Sequence, residues 1–313
     1  MSTSRFPADT APAVTRAETP SAAAEKGHSR TGDFVTLTKP RLNFLVLLTT
    51  AAAYSLGAGP ESTLLDLAHT LIGTFLVAGG AAALNQVWER RTDRLMRRTQ
   101  RRPLAEQRMT ATAGTIFGIA LTAIGAAELA YFINLLSSAV ALVTMATYIF
   151  FYTPLKLRTS LSTIAGALPG ALPAVIGWAA ATNTLSIEGW VLFGIVFMWQ
   201  MPHFLAIAWM YRDDYARAGM PLLPVLEPDG KSTGRQAVLY TAVLIPLSML
   251  PTGVGLATAR FLVGAISLGA ILMMLSLEFA VKRNMDTARR LFFGSILYLP
   301  ILWALLVFDH RTR

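Results

Sequence analysis

Long apolar runs separated by short polar segments recur along the chain from residue 42 onward. At the 1.5 Å rise of an α-helix, nine of these runs are long enough to cross about 30 Å of hydrocarbon. The runs cover residues 42–59, 67–88, 111–129, 131–152, 161–181, 189–211, 238–256, 261–281 and 291–308. A tight reversal near Ala130 must separate the third run from the fourth. The pattern predicts an all-α polytopic membrane protein with nine transmembrane helices.

The Lys and Arg residues lie almost entirely in the segments that nine spans would place on one side of the membrane. If the amino terminus is cytoplasmic, all of the 27 Lys and Arg residues fall on the cytoplasmic side except Arg260, Arg311 and Arg313. Cytoplasmic loops of membrane proteins carry such an excess of positive residues. The sequence therefore predicts a cytoplasmic amino terminus and an external carboxyl terminus. A bacterial cytoplasmic membrane is the expected location, and a mitochondrial inner membrane is the alternative.

Composition agrees with a membrane protein, since 54% of the residues are hydrophobic and only 14% are charged. A soluble domain carries about a quarter of its residues as Asp, Glu, Lys and Arg. The absence of cysteine excludes disulfides and thiolate metal sites. The net charge of +9 resides in the loops, so no nucleic-acid partner is predicted. Residues 1–33, rich in Ala, Ser, Thr and Pro, are predicted to be a disordered cytoplasmic tail, which leaves 34–313 as the transmembrane domain.

The first polar cluster lies at the end of the second apolar run. The stretch ALNQVWERRTDRLMRRTQRRPL, residues 83–104, spaces Asn85, Glu89 and Asp93 four residues apart. On a helix this spacing places one amide and two carboxylates on the same side. Mg²⁺ prefers oxygen ligands from one or two carboxylates, with substrate phosphates completing its coordination. These three residues are predicted to hold Mg²⁺ and to act in catalysis.

Arginines crowd the same stretch, and guanidinium groups bind phosphate oxygens bidentately. The arginines predicted to bind a diphosphate here are Arg94, Arg97, Arg98, Arg101 and Arg102. The plain structural interpretation is a solvated helix end whose charges form i,i+4 pairs. The apolar context argues against it, because ionisable groups that begin inside a membrane span are costly and usually functional.

A second polar cluster follows the sixth apolar run. Asp213 and Asp214 lie just past the span and are predicted to supply a second metal site opposite the first. His203 lies within the run, next to Pro202, which removes a backbone donor and can kink the helix. A histidine at this position can be a packing residue, a haem-iron ligand, a propionate partner or a proton acceptor.

A third cluster, YTPLKLRTS at residues 152–160, brings Lys156 and Arg158 to the same side of the membrane. Both are predicted to hold a departing diphosphate, and positive-inside anchoring is the alternative. The first helix opens with TKPRLN, where Arg41 is predicted to join the diphosphate site and Lys39 and Asn43 to extend its basic rim. No nucleotide-binding or nicotinamide-binding fingerprint is present.

Five stretches together resemble the UbiA superfamily of intramembrane prenyltransferases, and within it the branch whose acceptor is haem. The resemblance covers the chain from Thr38 to its end. The stretches are TKPR at 38–41, LNQVWERRTDRLMRRTQRRPL at 84–104, YTPLKLRT at 152–159, WQMPHF at 199–204 and DDYARAGMPLLP at 213–224. The first and the last two set the haem branch apart from quinone-pathway relatives.

The resemblance implies nine transmembrane helices around a central cavity that opens to the cytoplasm, with Mg²⁺ joining farnesyl diphosphate to two acidic motifs. It implies haem b as the acceptor, His203 as a haem contact, and haem A synthase or terminal-oxidase assembly as a downstream partner. Two departures are visible. Glu89 stands where the family usually has Asp, and Arg217 breaks an Asp-x-x-x-Asp spacing from Asp213.

Other functions are compatible with parts of this pattern. A related prenyltransferase acting on an aromatic acid or another tetrapyrrole would keep the acidic motifs but would not need WQMPHF. A transporter would also place charges at helix ends, although transporters usually contain internal repeats and none is evident here. A structural membrane chaperone would give Asn85, Glu89 and Asp93 no purpose.

Overall fold

The fold is that of a computed structural model that describes residues 29–312. In this part of the chain every regular element is helical and no strand is present. Most of the predicted tail, residues 1–28, lies outside the described residues, so its predicted disorder stays a prediction. Its end differs from the predicted boundary, because a helix begins at Arg30 and not after residue 33.

The helices follow one another through mostly short loops. In chain order they are α1 Arg30–Leu37, α2 Pro40–Gly57, α3 Leu64–Asp93, α4 Ala111–Phe132, α5 Leu135–Ala146, a π-helical turn Thr147–Tyr152, α6 Thr153–Leu155, α7 Ser162–Thr182, α8 Ile187–Met210, α9 Arg212–Arg217, α10 Leu223–Leu226, α11 Lys231–Gly253, α12 Ala259–Lys282 and α13 Met285–Arg311. The π-helical turn joins α5 to α6, so that Leu135–Leu155 is one span.

Eight of these helical segments are long and apolar enough to cross a membrane. The chain is therefore a multi-pass membrane protein. The predicted number of nine is approximate, because the remaining long helix, α2, begins with polar residues that lower its hydropathy. Arg41 and Asn43 lie in its first turn, yet α2 packs along α7 within the bundle. With α2 included, nine long helices correspond to the nine predicted runs.

The helix α1 was not predicted, and two contacts explain it. The Ser29 side chain caps its amino terminus by accepting a hydrogen bond from Gly32 N, and Asp33 pairs with Arg108 of the α3–α4 connection at 2.9 Å. Leu37, at its end, is fully buried. The Asp33–Arg108 pair holds α1 to the α3–α4 connection and Leu37 packs against Ala83 of α3, and neither long-range contact can be detected from local composition.

The two largest of four apolar clusters in the described residues hold the bundle together. The larger one joins α2, α7 and α8 to α11, α12 and α13, and the smaller one joins α3, α4, α5 and α7. The helices α3 and α4 pack closely, since a Cβ on Gly80 would lie 2.6 Å from the carbonyl oxygen of Gly118. Close packing through small residues is usual between helices in membranes. The two cores leave a cavity between them.

The reversal between α4 and α5 occurs at Ile133 and Asn134, beyond the predicted position near Ala130. Asn134 caps α5 by accepting from Ser137 N at 2.8 Å, and its amide donates to the Ala179 carbonyl of α7 at 2.9 Å. Asn134 thus satisfies the first turn of α5 while it ties the reversal to α7.

Candidate active site at one end of the bundle

A cavity of about 450 Å³ opens at the end of the bundle where α3, α6 and α8 finish and α2 begins. Its volume is within the range of small-molecule sites. Its inner walls are apolar and come mainly from α2, α3, α5, α7 and α8. Polar side chains concentrate near its mouth, where the three predicted ligands of the first metal site lie. The cavity therefore combines a charged entrance with an apolar chamber.

Asn85, Glu89 and Asp93 all line this cavity, and all three are buried. They lie along the last turns of α3, as their four-residue spacing predicts. Two lysines donate hydrogen bonds to the first two of these residues. Lys39 Nζ donates to Asn85 Oδ1 at 3.1 Å, and Lys156 Nζ donates to Glu89 Oε1 at 2.6 Å.

Asp93 has its own cation. The Nη1 of Arg102 lies 2.9 Å from Oδ1 and 2.8 Å from Oδ2 of Asp93. Asp93 also terminates α3 through its carbonyl, which accepts from the Thr99 hydroxyl at 3.0 Å. Asn85, Glu89 and Asp93 are thus each in contact with one basic residue from outside α3. We call Lys39, Lys156 and Arg102 the three cavity cations.

Two of these cations have altered basicity. Burial, reinforced by the neighbouring charge of Arg102, lowers the pKa of Lys39 to about 7. Burial also opposes the charge of Lys156, but Tyr152 and Glu89 outweigh it and raise the pKa of Lys156 above its usual value. Lys156 is therefore held as a cation directly beside the carboxylate of Glu89.

A π-helical turn positions two tyrosines on the cavity wall. Tyr148 and Tyr152 both line the cavity, with ring centroids 5.5 Å apart. Lys156 Nζ lies 4.5 Å from the centroid of the Tyr152 ring, within cation–π distance. The hydroxyl of Thr153 accepts from Asn85 Nδ2 at 3.1 Å. π-Helical turns occur frequently at functional sites, and this one links the wall to the first polar cluster.

The donor set fits a divalent cation that is also bound by substrate. Asn85, Glu89 and Asp93 offer one amide and two carboxylates on a single helix face. Across residues 29–312, no three His, Asp or Glu side chains converge closely enough to hold a metal by themselves. A metal ion here would need further oxygen ligands. Mg²⁺ bound through one or two carboxylates plus phosphates and water has this requirement.

The structure does not bring Asp213 and Asp214 to the cavity wall. The helix α8 ends at Met210, and the two residues lie on the separate short helix α9. The side chain of Asp213 is 87% exposed. Asp214 is buried, where it pairs with Arg217 and accepts from the backbone N of Arg98 at 3.3 Å. In this arrangement Asp214 fastens α9 to the α3–α4 connection.

The predicted diphosphate-binding residues divide into two groups. Those that line the cavity are Arg98, Arg102 and Lys156, and those that are exposed and do not line it are Arg41, Arg94, Arg97, Arg101 and Arg158. Arg98 stacks on two tyrosines, with its guanidinium carbon 5.0 Å from the Tyr211 ring centroid and 5.4 Å from that of Tyr215. Arg94 is committed elsewhere, since its Nε donates to the Ala105 carbonyl at 2.7 Å.

His203 lines the apolar part of the cavity. Its ring is stacked between Trp199 and Phe292, with centroid distances of 5.2 and 5.1 Å. Its Nδ1 lies 2.8 Å from the hydroxyl oxygen of Ser295 on α13. Trp199 and His203 are four residues apart on α8 and so share one helix face, which lines the cavity.

Sequence reasoning missed Tyr148, Tyr152 and Gln200. The available signal was the aromatic run TYIFFY at the end of a span and the glycines of α7. A Cβ on Gly170 would collide with the Gln200 side chain, whose amide donates to the Ala167 carbonyl at 3.2 Å. Gly170 therefore makes room for a side chain that lines the cavity.

The chain is similar in sequence to proteins of one enzyme family. A profile described as the UbiA prenyltransferase family matches residues 46–299. A protein named protoheme IX farnesyltransferase from Solibacter usitatus is 46% identical over 286 residues, which are 88% of this chain and 98% of that protein. The protein of the same name from Myxococcus xanthus is 41% identical over 93% of this chain and 99% of its own length.

Solved structures share the fold at low sequence identity. A structure of digeranylgeranylglyceryl phosphate synthase superposes with a TM-score of 0.76 and 14% identity, over 90% of this chain and 99% of that one. A UbiA homologue from Archaeoglobus fulgidus, bound to GPP and Mg²⁺, superposes with a TM-score of 0.64 and 16% identity, over 88% of this chain and 99% of that one.

Proposed function

The chain belongs to the UbiA prenyltransferase family, and we propose that it transfers the farnesyl group of farnesyl diphosphate to a vinyl group of haem b, which gives haem O. One observation carries the proposal. A single cavity joins a layer of matched carboxylates and cations to an apolar chamber that contains a histidine held between two aromatic rings. The first part suits a diphosphate, and the second suits a porphyrin.

At the cavity mouth, Asn85, Glu89 and Asp93 would hold Mg²⁺, as the donor set allows. Bound there, Mg²⁺ would neutralise the charge that grows on the diphosphate as the allylic C–O bond breaks. The three cavity cations are already directed at these ligands, so they lie where diphosphate oxygens would bind. Fixed charges that act on a leaving group in this way stabilise the transition state with little reorganisation.

The apolar chamber suits the second half of the reaction. Its walls keep water away from the farnesyl cation, which water would otherwise consume. The terminal carbon of the haem vinyl group forms the new C–C bond to C1 of the farnesyl group as the bond to diphosphate breaks. A water molecule then adds to the remaining carbocation and loses a proton, which leaves the hydroxyethylfarnesyl group. Tyr148 and Tyr152 line the same cavity, and their rings would stabilise this positive charge.

In this proposal Asp213 and Asp214, predicted to form a second metal site, do not bind metal. Asp214 acts by holding Arg98 at the cavity through the backbone of that residue, and Asp213 stays in solvent. Arg98, which lines the cavity, would then contact the diphosphate. The exposed arginines of the α3–α4 connection would attract the anionic substrate and anchor the loop in the headgroup region.

The distribution of Lys and Arg supports the orientation predicted from sequence. We place the cavity mouth and the amino terminus on the cytoplasmic side and the carboxyl terminus outside, in a bacterial cytoplasmic membrane. A cytoplasmic mouth would admit farnesyl diphosphate directly from the cytoplasm. Haem O, once released into the bilayer, would pass to haem A synthase or to terminal-oxidase assembly.

The second candidate function is prenylation of another acceptor, either an aromatic acid or a different tetrapyrrole. A competition assay separates the two. The purified protein in lipid nanodiscs receives farnesyl diphosphate, Mg²⁺ and equal amounts of haem b and 4-hydroxybenzoate, and chromatography separates the products. We expect farnesylated haem alone. A farnesylated benzoate would leave the metal site in place but would contradict haem as the acceptor.

A further inference from the structure

The hydrogen bonds around His203 determine which of its ring nitrogens carries the proton. Ser295 Oγ donates its single hydrogen to the Phe292 carbonyl, at 2.7 Å. A hydroxyl has one hydrogen, and a carbonyl oxygen can only accept. Ser295 Oγ must therefore accept at its other contact, which is His203 Nδ1 at 2.8 Å. It follows that Nδ1 carries the proton.

A neutral imidazole protonated on Nδ1 has a lone pair on Nε2. Among the described residues Nε2 has no hydrogen-bond partner, although the ring lines the cavity. The ring stacks on Trp199 and Phe292, which fixes its plane, and a half-turn about the Cβ–Cγ bond within that plane would break the Ser295 contact. The ring is thus held with one free acceptor atom beside the apolar chamber.

Ser295 is itself fixed in place. Its side chain is fully buried, and its carbonyl accepts from Trp199 Nε1 at 2.7 Å. Trp199 therefore makes two contacts that bear on the same histidine, because it covers one ring face and it holds the backbone of the residue that binds Nδ1. The unit formed by Trp199, His203, Phe292 and Ser295 connects α8 to α13 at the cavity wall.

We propose that Ser295 is a positioning residue that fixes His203 in the tautomer whose Nε2 binds the iron of the haem substrate. The proposal rests on the proposed function, since it assigns one contact to the haem acceptor. It also decides between the roles open to this histidine. An Nε2 without a proton cannot donate a hydrogen bond to a propionate carboxylate, whereas it can bind iron. Histidines that ligate metals commonly donate their other N–H to a protein acceptor, which orients the ring and raises its basicity.

The test is resonance Raman spectroscopy of ferrous protohaem bound to the purified full-length protein in nanodiscs. The stretching band between iron and histidine reports ligation, and its frequency responds to the hydrogen bond at Nδ1. We expect the band in the unmodified protein and its loss in His203→Ala. In His203→Gly, free imidazole should restore it. In Ser295→Ala the band should move to lower frequency, and haem binding should weaken about 10-fold or more.

Two further variants separate positioning from packing. Ser295→Thr keeps the hydroxyl, so the band should return toward its original frequency. Ser276→Ala removes another fully buried hydroxyl, which bonds Thr241 at 2.9 Å and does not line the cavity. That variant should leave the band unchanged. An equal shift in Ser276→Ala and Ser295→Ala would show a general loss of packing and would overturn the role of Ser295.

Failure of this inference is distinguishable from failure of the proposed function. If the protein makes haem O but its haem complex shows no histidine band, or if His203→Ala retains the band, iron ligation by His203 is wrong and the activity stands. If the unmodified protein neither binds protohaem nor farnesylates it, both are wrong. A band that stays at the same frequency in Ser295→Ala contradicts the tautomer argument alone.

Discussion

The Nζ of Lys156 lies 2.6 Å from Oε1 of Glu89, which joins the connection after α6 to the last turns of α3. The two residues are far apart in the sequence, and both side chains are largely buried. A buried ion pair is costly to build, so its retention at a cavity mouth argues for a role in binding. In the proposed function, Glu89 would help to hold Mg²⁺, which would leave Lys156 to bind diphosphate oxygens.

Replacement of Lys156 separates this role from general positive charge. Lys156→Ala should lower kcat/KM for farnesyl diphosphate by about 100-fold, because a fixed charge near the leaving group is lost. Arg158→Ala is the matched control, since Arg158 lies two residues away, is exposed and does not line the cavity. Steady-state kinetics should show less than about a 3-fold change for the control. Equal losses in both variants would favour an unspecific basic surface.

Arg102 tests whether the additional donors of a guanidinium group are needed. Its Nη1 alone contacts both oxygens of Asp93, so Nε and Nη2 remain as donors for diphosphate oxygens, whereas a lysine has a single nitrogen. We expect Arg102→Lys to lower kcat/KM by about 10-fold or more and Arg101→Lys, at an exposed neighbouring position, to have little effect. Initial rates at varied farnesyl diphosphate provide the measurement. Normal activity of Arg102→Lys would contradict a specific role for the guanidinium group.

Replacement of Asp213 and replacement of Asp214 should have different effects on activity. Asp214→Asn weakens the contacts that dock α9 onto the α3–α4 connection, so the KM for farnesyl diphosphate should rise about 10-fold through the loss of an ordered Arg98. Asp213→Asn should change little, because its side chain is exposed. Activity is measured against Mg²⁺ concentration for both variants. A higher Mg²⁺ requirement in both would instead support a second metal site at Asp213 and Asp214.

Gly170 tests the shape of the chamber wall. In Gly170→Ala the added Cβ collides with the Gln200 side chain, and the displaced amide loses its bond to Ala167. We expect a destabilisation of about 1–3 kcal/mol and a loss of haem binding. Thermal unfolding in nanodiscs and a haem titration measure the two effects. Gly59→Ala is the control, because a Cβ at Gly59 meets no atom within 4 Å. Unchanged haem binding in Gly170→Ala would show that Gln200 does not shape the site.

The membrane spans were predictable because hydrophobic length is a local property of the chain. The same is true of the shared face of Asn85, Glu89 and Asp93, since all three lie on the continuous helix α3. Which of the arginines line the cavity was not predictable from the sequence. After Asp93 the helix ends, and the following segment is irregular, so helical spacing no longer indicates which side chain points inward.

Contacts between distant residues decide the rest. Arg94 points away from the cavity because it donates a hydrogen bond to the Ala105 carbonyl. Arg102 points into the cavity because it donates a hydrogen bond to the Asp93 carboxylate. Asp213 and Asp214 follow a helix that ends at Met210, so they do not continue the face that carries His203. The proton on His203 Nδ1 depends on Ser295, which is remote in sequence. None of these contacts leaves a periodic signal.

The most direct test of the central claim is the mass of the haem product formed in nanodiscs from haem b and farnesyl diphosphate. The reaction is run with Mg²⁺ and with EDTA, for the unmodified protein and for Asp93→Asn. We predict a product heavier than haem b by one farnesyl group and one hydroxyl group, formed only by the unmodified protein with Mg²⁺. The same product from Asp93→Asn or in EDTA would contradict the metal site, and unchanged haem b in all four reactions would contradict the assigned activity.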